Sequence, residues 1–365
     1  MNKAIKYRIY PTSEQMTLIT STFDCCRNVW NLMLSDKLTA FRAGEKIPMV
    51  TPAIYKENHP YLKDVDSLAL CNEQIALQQA FSRFFKKKAG FPNFKSKKHS
   101  RKTYTTNCQK GSVVITDNKI KLPKLGKVRA KIHRQPKPDW QIKSATISQS
   151  ADNKFYISVL FEFEQEIIQK PITNNAIGLD YKSDGLYMDS NGNIGSNHKY
   201  YRESHKKLAH AQQKLKHMVV GSNNYVKQQK RIAKIYTHIA NQRFDNLHKL
   251  STEIANQYDI VCVENLNMRT LASKNFHNSK ATLDNGYGMF LKMLEYKLAD
   301  RGKYFVKIDK WYPSSQLCSG CGKQHFEMKD IKVRNLICDC GLTIDRDHNA
   351  AINILREGLR LLSEQ

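Results

Sequence analysis

Two closely spaced pairs of cysteines near the C-terminus constrain the fold of this chain more than any other feature. The first pair has the spacing C-x-x-C and the second C-x-C, and the four residues are Cys318, Cys321, Cys338 and Cys340. Four thiolates in two close pairs suit tetrahedral Zn²⁺, and glycines after both pairs permit tight turns. A site closed by four cysteines leaves no position for a substrate, so we expect a structural zinc.

The spacing of the second pair leaves alternatives open for this zinc site. A C-x-C pair is tighter than the usual C-x-x-C, and the four thiols could instead be reduced and free. His325 and His348 are conceivable substitute ligands, although we expect each of them at the surface.

A large positive charge indicates a polyanionic partner. The chain has 59 Lys and Arg against 33 Asp and Glu, a formal net charge of +26. Such a surplus serves phosphate neutralisation and electrostatic steering, and an enzyme of neutral metabolites rarely needs it. A merely soluble basic protein is the alternative. The apolar content of 41% is enough to bury a core.

Cysteine usage and hydropathy predict a cytoplasmic, nucleoid-associated protein. The chain has nine cysteines, an odd number, and its start does not resemble a secretory signal. Both features argue for a reducing compartment and against a disulfide framework. We expect no membrane segment, because no apolar run approaches the roughly 20 residues that a spanning helix needs.

Three acidic residues stand out by their positions. Asp180 and Glu264 each end a short apolar strand, and Asp347 lies where a helix begins, with Asp345 well placed as the N-cap. Three converging carboxylates would repel one another unless divalent cations lay between them. Mg²⁺ prefers such oxygen ligands, and two ions roughly 3.5–4 Å apart can bind the attacking and leaving oxygens of a phosphodiester. Acids at strand ends are also common as caps and turn residues, so spacing alone leaves convergence open.

The segment 91–104 interleaves cations with aromatic residues. Basic side chains alternate there with Phe91, Phe94 and Tyr104. Cations for phosphates and aromatic faces for bases are typical of single-strand binding, whereas most charge runs are simply solvated. Charge alone suggests backbone contacts for Lys86, Lys87, Lys88, Lys95, Lys97, Lys98 and Arg101.

The predicted secondary-structure pattern of the chain changes near residue 170. Before it we predict a strand at Ala4–Tyr10, helices at about 12–34 and 67–87, and short strands between about 112 and 163. The N-terminal strand and these later strands could form a small barrel.

The second half alternates strands and helices. We predict strands at 176–180, 258–264 and 303–308, a long helical stretch at 203–256 that breaks near Gly221, and a helix at 286–300. Strands that alternate with helices indicate an α/β layer.

Taken in order, these segments resemble the transposon-encoded TnpB (OrfB) family, whose members are RNA-guided DNA endonucleases related to type V CRISPR effectors. The resemblance covers nearly the whole chain, and it rests on KYRIYPTSEQ, CRNVWN, GFPNFKSKK, LPKLGKVR, IGLD, ANQRFDNLHKLS, VENL, WYPSSQLCSGCG and IDRDHNAAINIL. SSQLCSGCG and DRDHNAAINI are specific, whereas IGLD by itself is a weak match. The text DYKSDGLY after the first aspartate and the C-x-C pair depart from the family pattern.

The resemblance implies an α+β multidomain fold. Residues 1–170 would form a wedge-type β-barrel with a helical recognition insertion at about 12–105. Residues 171–365 would form a RuvC-like nuclease domain of the ribonuclease H type, with an inserted zinc ribbon at about 315–343.

The resemblance also implies site residues and partners. It places the catalytic, Mg²⁺-binding (or Mn²⁺-binding) carboxylates on Asp180, Glu264 and Asp347, with Asp184 as a second candidate for the first position. Structural Zn²⁺ would lie in the ribbon. A guide RNA from the transposon end would pair with double-stranded DNA, and the N-terminal half would read a short adjacent motif. The alternatives are a guided DNA-binding regulator that does not cut and a strand-transferring transposase. The oligomeric state stays open.

Overall fold

The chain forms two compact units, Met1–Gln165 and Glu166–Gln365. The computed structural model describes residues 1–195, 198–271, 273 and 284–364. The division falls slightly before the predicted boundary at residue 170. The segment after Glu166 is tied into the second unit, because Lys170 donates its backbone N–H to the Gly302 carbonyl (2.8 Å) and its ammonium to Asp259 (3.1 Å).

A seven-stranded antiparallel sheet forms the core of the first unit. Its order is β2-β6-β7-β1-β5-β4-β3. The strands are β1 Asn2–Tyr10, β2 Thr103–Asn107, β3 Val114–Ile115, β4 Lys119–Leu122, β5 Gly126–Lys131, β6 Gln141–Gln149 and β7 Phe155–Glu162. The alternation of β7, FYISVLFE, buries every second side chain, and its Ile157 pairs with the buried Tyr7 of β1. Within the first unit no pairing joins the end strands β2 and β3, so closure into a barrel stays a prediction.

Two long helices lie between β1 and β2 in the chain. Helix α1 spans Ser13–Arg42 and helix α2 spans Ser67–Phe85. Thr12 caps α1 through a reciprocal pair of hydrogen bonds with Gln15, 3.3 Å and 3.1 Å long. The predicted end near Leu34 is too early, because buried side chains continue along the same face to Ala40.

A four-stranded mixed sheet, in the order β11-β10-β8-β9, forms the centre of the second unit. The strands are β8 Ala176–Tyr181, β9 Tyr187–Asp189, β10 Ile260–Glu264 and β11 Tyr304–Ile308. Strands β8, β10 and β11 are parallel, and β9 is antiparallel to β8. The apolar sequences AIGLD and IVCVE suit strands that are covered on both faces.

The helices of the second unit include a hairpin and a C-terminal helix. Those that lie within the described residues are α3 Tyr200–Lys216, α4 Asn223–Gln257, α5 Met268–Leu271, α6 Tyr287–Ala299 and α7 Arg346–Ser363. The break between α3 and α4 falls where Gly221 predicts it, and the Gln228 side chain of α4 donates to the Ala211 carbonyl of α3 (2.8 Å). A small hairpin, β12 Asn335–Ile337 and β13 Thr343–Asp345, precedes α7. Among the described residues no helix is long and apolar enough to cross a membrane.

Candidate functional site

Two of the predicted acids emerge from neighbouring parallel strands. Leu179 of β8 pairs in register with Val263 of β10, so the next residues, Asp180 and Glu264, lie side by side at the carboxyl end of the sheet. Both side chains are partly buried. The register therefore brings together two acids that are far apart in the sequence.

The third acid comes from the start of α7. The Asp345 carboxylate accepts hydrogen bonds from the backbone N–H groups of Asp347 (2.9 Å) and His348 (3.1 Å), which makes Asp345 the N-cap, as predicted. Asp347 is then free of the capping role. Its charge acts on Asp180, so the first turn of α7 adds to the acidic edge of the sheet.

Burial and mutual repulsion disfavour negative charge at this edge. Burial, and then the charges of Glu264 and Asp347, raise the pKa of Asp180 well above its ordinary range. Burial also raises the pKa of Glu264 to about 7. Three such carboxylates are hard oxygen donors, and a divalent cation would offset their repulsion, so the residues fit Mg²⁺ in chemical kind.

Two further residues of this site were not predicted from the sequence. The Lys182 ammonium forms an ion pair with Asp347, and both side chains are largely buried. The hydroxyl of Tyr287 is buried without a hydrogen-bond partner in the described residues, and its ring lies 5.0 Å from that of Tyr181. The departure DYKSDGLY contains Lys182, but only tertiary structure places its ammonium on an acid 165 residues away.

Replacing Glu264 by glutamine is expected to stabilise the metal-free protein above pH 7. A pKa raised from 4.5 to about 7 means that the native state binds the proton more tightly than the unfolded state, so wild-type stability falls as pH rises through that window. The amide removes this cost, which is on the order of 3 kcal/mol above pH 7. Thermal unfolding in buffer without added Mg²⁺ or Mn²⁺, at several pH values, would measure the gap between variant and wild type. A gap that does not shrink as pH falls from about 7 to about 4.5 would contradict the assignment.

The four cysteines converge as the sequence predicts. Cys318 Sγ lies 3.6 Å from Cys340 Sγ, and Cys321 Sγ lies 3.5 Å from Cys338 Sγ. All four sulfurs lie within 4.8 Å of one another, and in the described chain this is the one group of potential ligands that meets that limit. Tetrahedral Zn–S bonds of about 2.3 Å place the sulfurs roughly 3.8 Å apart, so the cluster fits zinc.

Local backbone geometry explains how a C-x-C pair can join this cluster. The backbone N–H of Cys338 donates to Leu342 (2.9 Å) and that of Gly341 donates to Cys338 (2.9 Å), which closes a tight turn between β12 and β13. Gly341 has φ +90° and Gly322, after the first pair, has φ +79°, values that favour glycine.

Neither histidine belongs to the zinc cluster. His348 Nε2 lies 3.3 Å from the Ser190 carbonyl. His325 was expected at the surface, but it is buried, and its Nδ1 lies 2.9 Å from the Glu327 carboxylate. The expectation was wrong for His325, whose backbone N–H donates to the Gln316 carbonyl (2.8 Å), so that its segment lies against the chain before the first cysteine pair.

Replacing Cys321 by serine is expected to remove the zinc. One lost thiolate opens the tetrahedral site, and structural zinc contributes roughly 10–16 kcal/mol of apparent binding free energy to small zinc folds. The purified variant should contain much less than one zinc per chain. The matched control is Cys71→Ser, at an exposed cysteine in α2, which should keep one zinc per chain. Equal zinc contents in wild type and Cys321→Ser would contradict the site.

The predicted nucleic-acid contacts differ in how free their charges are. Lys95 is engaged within the protein: its ammonium pairs with Glu73 and lies 3.9 Å from the centre of the Trp30 ring. Lys97 lies 3.4 Å from Asp24 but remains largely exposed. The others that are exposed to solvent are Lys86, Lys87, Lys88, Lys98 and Arg101. Lys95 is therefore the most engaged of these cations within the protein.

Two of the three aromatic residues in 91–104 are used in packing. Tyr104 is 4% exposed, and Phe91 packs edge-on against Phe84 (5.1 Å). The expectation of free aromatic faces is therefore wrong for Tyr104 and Phe91, because their rings pack against side chains of helices α1 and α2. Phe94, 54% exposed, offers its face to solvent.

These features define a class: a two-unit α+β protein with acids at the ends of parallel strands and a four-cysteine ribbon. The fold matches the protein in "Cryo-EM structure of the Cas12f1-sgRNA-target DNA complex" with a TM-score of 0.59 at 14% identity, over 97% of this chain and 98% of that one. The family described as "Cas12f1-like, TNB domain" matches residues 287–354, which include the cysteine cluster.

Sequence relatives lead from this class to a family. The family described as "Probable transposase" (OrfB_IS605) matches residues 158–275, and one described as "Helix-turn-helix domain" matches residues 1–46, where the structure has β1 and a single long helix. A Streptomyces pristinaespiralis protein named "Putative RNA-guided DNA endonuclease" is 33% identical over 98% of this chain and 90% of its own. The similarly named InsQ of Escherichia coli K12 is 30% identical over 99% of this chain and 93% of its own. This chain belongs to the TnpB (OrfB) family.

Proposed function

We propose that this protein is an RNA-guided, metal-dependent endonuclease that cuts double-stranded DNA next to a short motif. The observation that carries the proposal is the meeting of Asp180, Glu264 and Asp347 at one edge of the second unit, in a chain related over nearly its whole length to proteins named as RNA-guided DNA endonucleases. The guide RNA would derive from the transposon end.

The carboxylates are the proposed catalytic residues of a RuvC-like domain. When bound, Mg²⁺ or Mn²⁺ would polarise the phosphodiester and lower the pKa of an attacking water. Asp180 and Glu264 would hold the metal from the sheet, and Asp347 would hold it from the helix. Lys182 balances the charge of Asp347 and keeps that side chain turned towards the sheet edge.

The first unit is the proposed reader of motif and nucleic-acid shape. Base pairing with a guide supplies sequence specificity, so the protein needs to contact mainly backbone and a short motif. The exposed cations of the insertion suit that task, and we propose phosphate contacts for Lys86, Lys87, Lys88, Lys97, Lys98 and Arg101. We also propose that the seven-stranded sheet of this unit forms the wedge-type barrel. The proposed location of the protein is the cytoplasm, in association with the nucleoid.

Sequencing of co-purified RNA tests this proposal. The protein would be expressed together with its native downstream DNA, purified at moderate salt, and its bound RNA sequenced. One discrete RNA that ends in a segment from beyond the transposon end is the expected result. Heterogeneous host RNA, or none, would show that the charge serves unspecific binding and would overturn the guided function.

A strand-transferring transposase is the second candidate, favoured by the description of the family that matches residues 158–275. The same acids could serve strand transfer as well as hydrolysis. Product ends separate the two, since hydrolysis gives free 3′-hydroxyl and 5′-phosphate ends and strand transfer gives joined DNA. A guided binder that does not cut would instead leave target DNA intact in the presence of Mg²⁺.

A further inference from the structure

We propose that Asn349 and Asn353 are positioning residues that couple the zinc ribbon to the carboxylate site. Both lie on α7, the helix that presents Asp347, and both are almost fully buried, at 0% and 3% exposure. The inference rests on the proposed metal-dependent function and concerns how the ribbon holds the third carboxylate in place.

The two amides bind the backbone around the first cysteine pair, residues 317–321, which we call the first cysteine knuckle. The Asn349 side chain accepts a hydrogen bond from the Ser319 N–H (2.9 Å) and donates one to the Leu317 carbonyl (2.7 Å). Leu317 and Ser319 flank Cys318, so this one side chain spans a zinc ligand on both sides. A buried amide paired at both its oxygen and its nitrogen fixes the two backbones in one relative position.

A second amide continues the contact one turn further along the helix. The Asn353 side chain donates to the carbonyls of Ser314 (2.8 Å) and Leu317 (2.7 Å). The Arg356 guanidinium donates to the Ser319 carbonyl. One face of α7 is therefore bound to the chain around the first cysteine pair through side-chain to backbone hydrogen bonds.

Elsewhere the same helix packs closely on the strands that carry the other acids. A Cβ added to Gly178 of β8 would lie 2.2 Å from the Ala351 carbonyl, and one added to Gly358 would lie 2.3 Å from Cys262 Sγ of β10. Gly178 and Cys262 each lie two residues before an acid, Asp180 and Glu264. Helix α7 is therefore in close contact with the sheet on one side and hydrogen-bonded to the knuckle on another. A shift of the knuckle would change how the helix lies on the sheet.

These contacts connect two metal-binding sites through one rigid element. A knuckle closed around zinc favours one position of the first turn of α7, and that turn sets where Asp347 lies relative to the sheet. Linkage is reciprocal: if the closed knuckle favours metal at the carboxylates, metal at the carboxylates must raise the affinity of the cysteines for zinc.

Equilibrium competition for zinc with a chromogenic zinc-selective chelator, without nucleic acid, tests the coupling. In wild type, added Mg²⁺ should raise the zinc affinity by about 10-fold, within the usual range of coupling between sites. In Asn349→Ala, which should start with one zinc per chain, the zinc affinity should be the same with and without Mg²⁺. A merely structural role would lower the affinity in both conditions and leave the Mg²⁺ ratio, the zinc affinity with Mg²⁺ divided by that without it, unchanged.

Two controls keep the result interpretable. Arg360→Ala, on the same helix, removes only pairs with Glu357 and Glu364 among the described contacts and should show the wild-type Mg²⁺ ratio. If Asn349→Ala fails to fold, Asn353→Ala replaces it. That variant loses the bonds to Ser314 and Leu317 while Asn349 keeps its own, so its Mg²⁺ ratio should lie between one and the wild-type value. A wild-type ratio in the asparagine variants, or no Mg²⁺ effect in wild type, would overturn the proposal. The assay uses neither RNA nor DNA. The coupling proposal and the proposal of guided cleavage can therefore fail independently of each other.

Discussion

Asp180→Ala is expected to abolish DNA cleavage, by at least about 10³-fold, while leaving RNA and target binding intact. Burial and the charges of Glu264 and Asp347 all raise the pKa of Asp180, so its carboxylate feels both other acids. Its removal takes a ligand from the proposed metal and leaves only two of the three carboxylates to hold it. Cleavage rates under single-turnover conditions and gel-shift affinities would measure the two effects separately.

Asp184→Ala is the matched control for this loss. Asp184 is the other acid in the same segment and the second candidate from the family pattern, but its side chain is 73% exposed and lies 3.9 Å from the Lys182 ammonium. Its removal should leave the cleavage rate within about 3-fold of wild type, since a single exposed charge contributes little. Full activity of Asp180→Ala, or loss of activity in Asp184→Ala with Asp180 intact, would contradict the assignment of the first carboxylate.

Gly178→Ala is expected to destabilise the second unit by about 3 kcal/mol, towards the upper end of the usual cost of overpacking. The added Cβ would meet backbone atoms of α7, at 2.2 Å from the Ala351 carbonyl and 2.8 Å from the Leu355 nitrogen. Backbone within a helix cannot move aside as a side chain can, so the whole helix must shift. A fall of roughly 6–12 °C in the melting transition of this unit follows, with a loss of cleavage because α7 carries Asp347.

Gly90→Ala provides the comparison for this substitution. No atom lies within 4 Å of a Cβ built there, and its φ is not in the left-handed region. The melting temperature should therefore be unchanged or slightly raised, because alanine restricts the unfolded chain more than glycine does. Equal melting temperatures for Gly178→Ala and wild type would show that α7 does not pack on β8 as described.

Much of the carboxylate site could be predicted because local sequence and local structure agree there. The runs IGLD and IVCVE are too short and too apolar for exposed helices, so the positions of Asp180 and Glu264 at strand ends follow from pattern alone. The capping role of Asp345 likewise follows from a residue type that suits a helix start. These features depend on residues close together in the chain.

The rest of the site depends on contacts between distant segments. The strand register that sets Leu179 beside Val263 is determined by tertiary structure, and so is the ion pair of Lys182 with Asp347. In the sequence, Lys95 cannot be distinguished from the other cations of a basic run. Only the fold shows that its ammonium lies over the Trp30 ring. The residue type and spacing of a charged side chain do not determine whether its partner is solvent, nucleic acid or the protein itself.

Redirected cleavage is the most direct test of the central claim that this protein is an RNA-guided endonuclease. Purified protein would be combined with Mg²⁺ and an RNA whose terminal segment matches one of two plasmids that carry the same adjacent motif and different target sequences. The account predicts a cut only in the matched plasmid, and a switch to the other plasmid when that RNA segment alone is exchanged. Cutting of both plasmids whatever the RNA, or of neither when the RNA is the one that co-purifies with the protein, would contradict it.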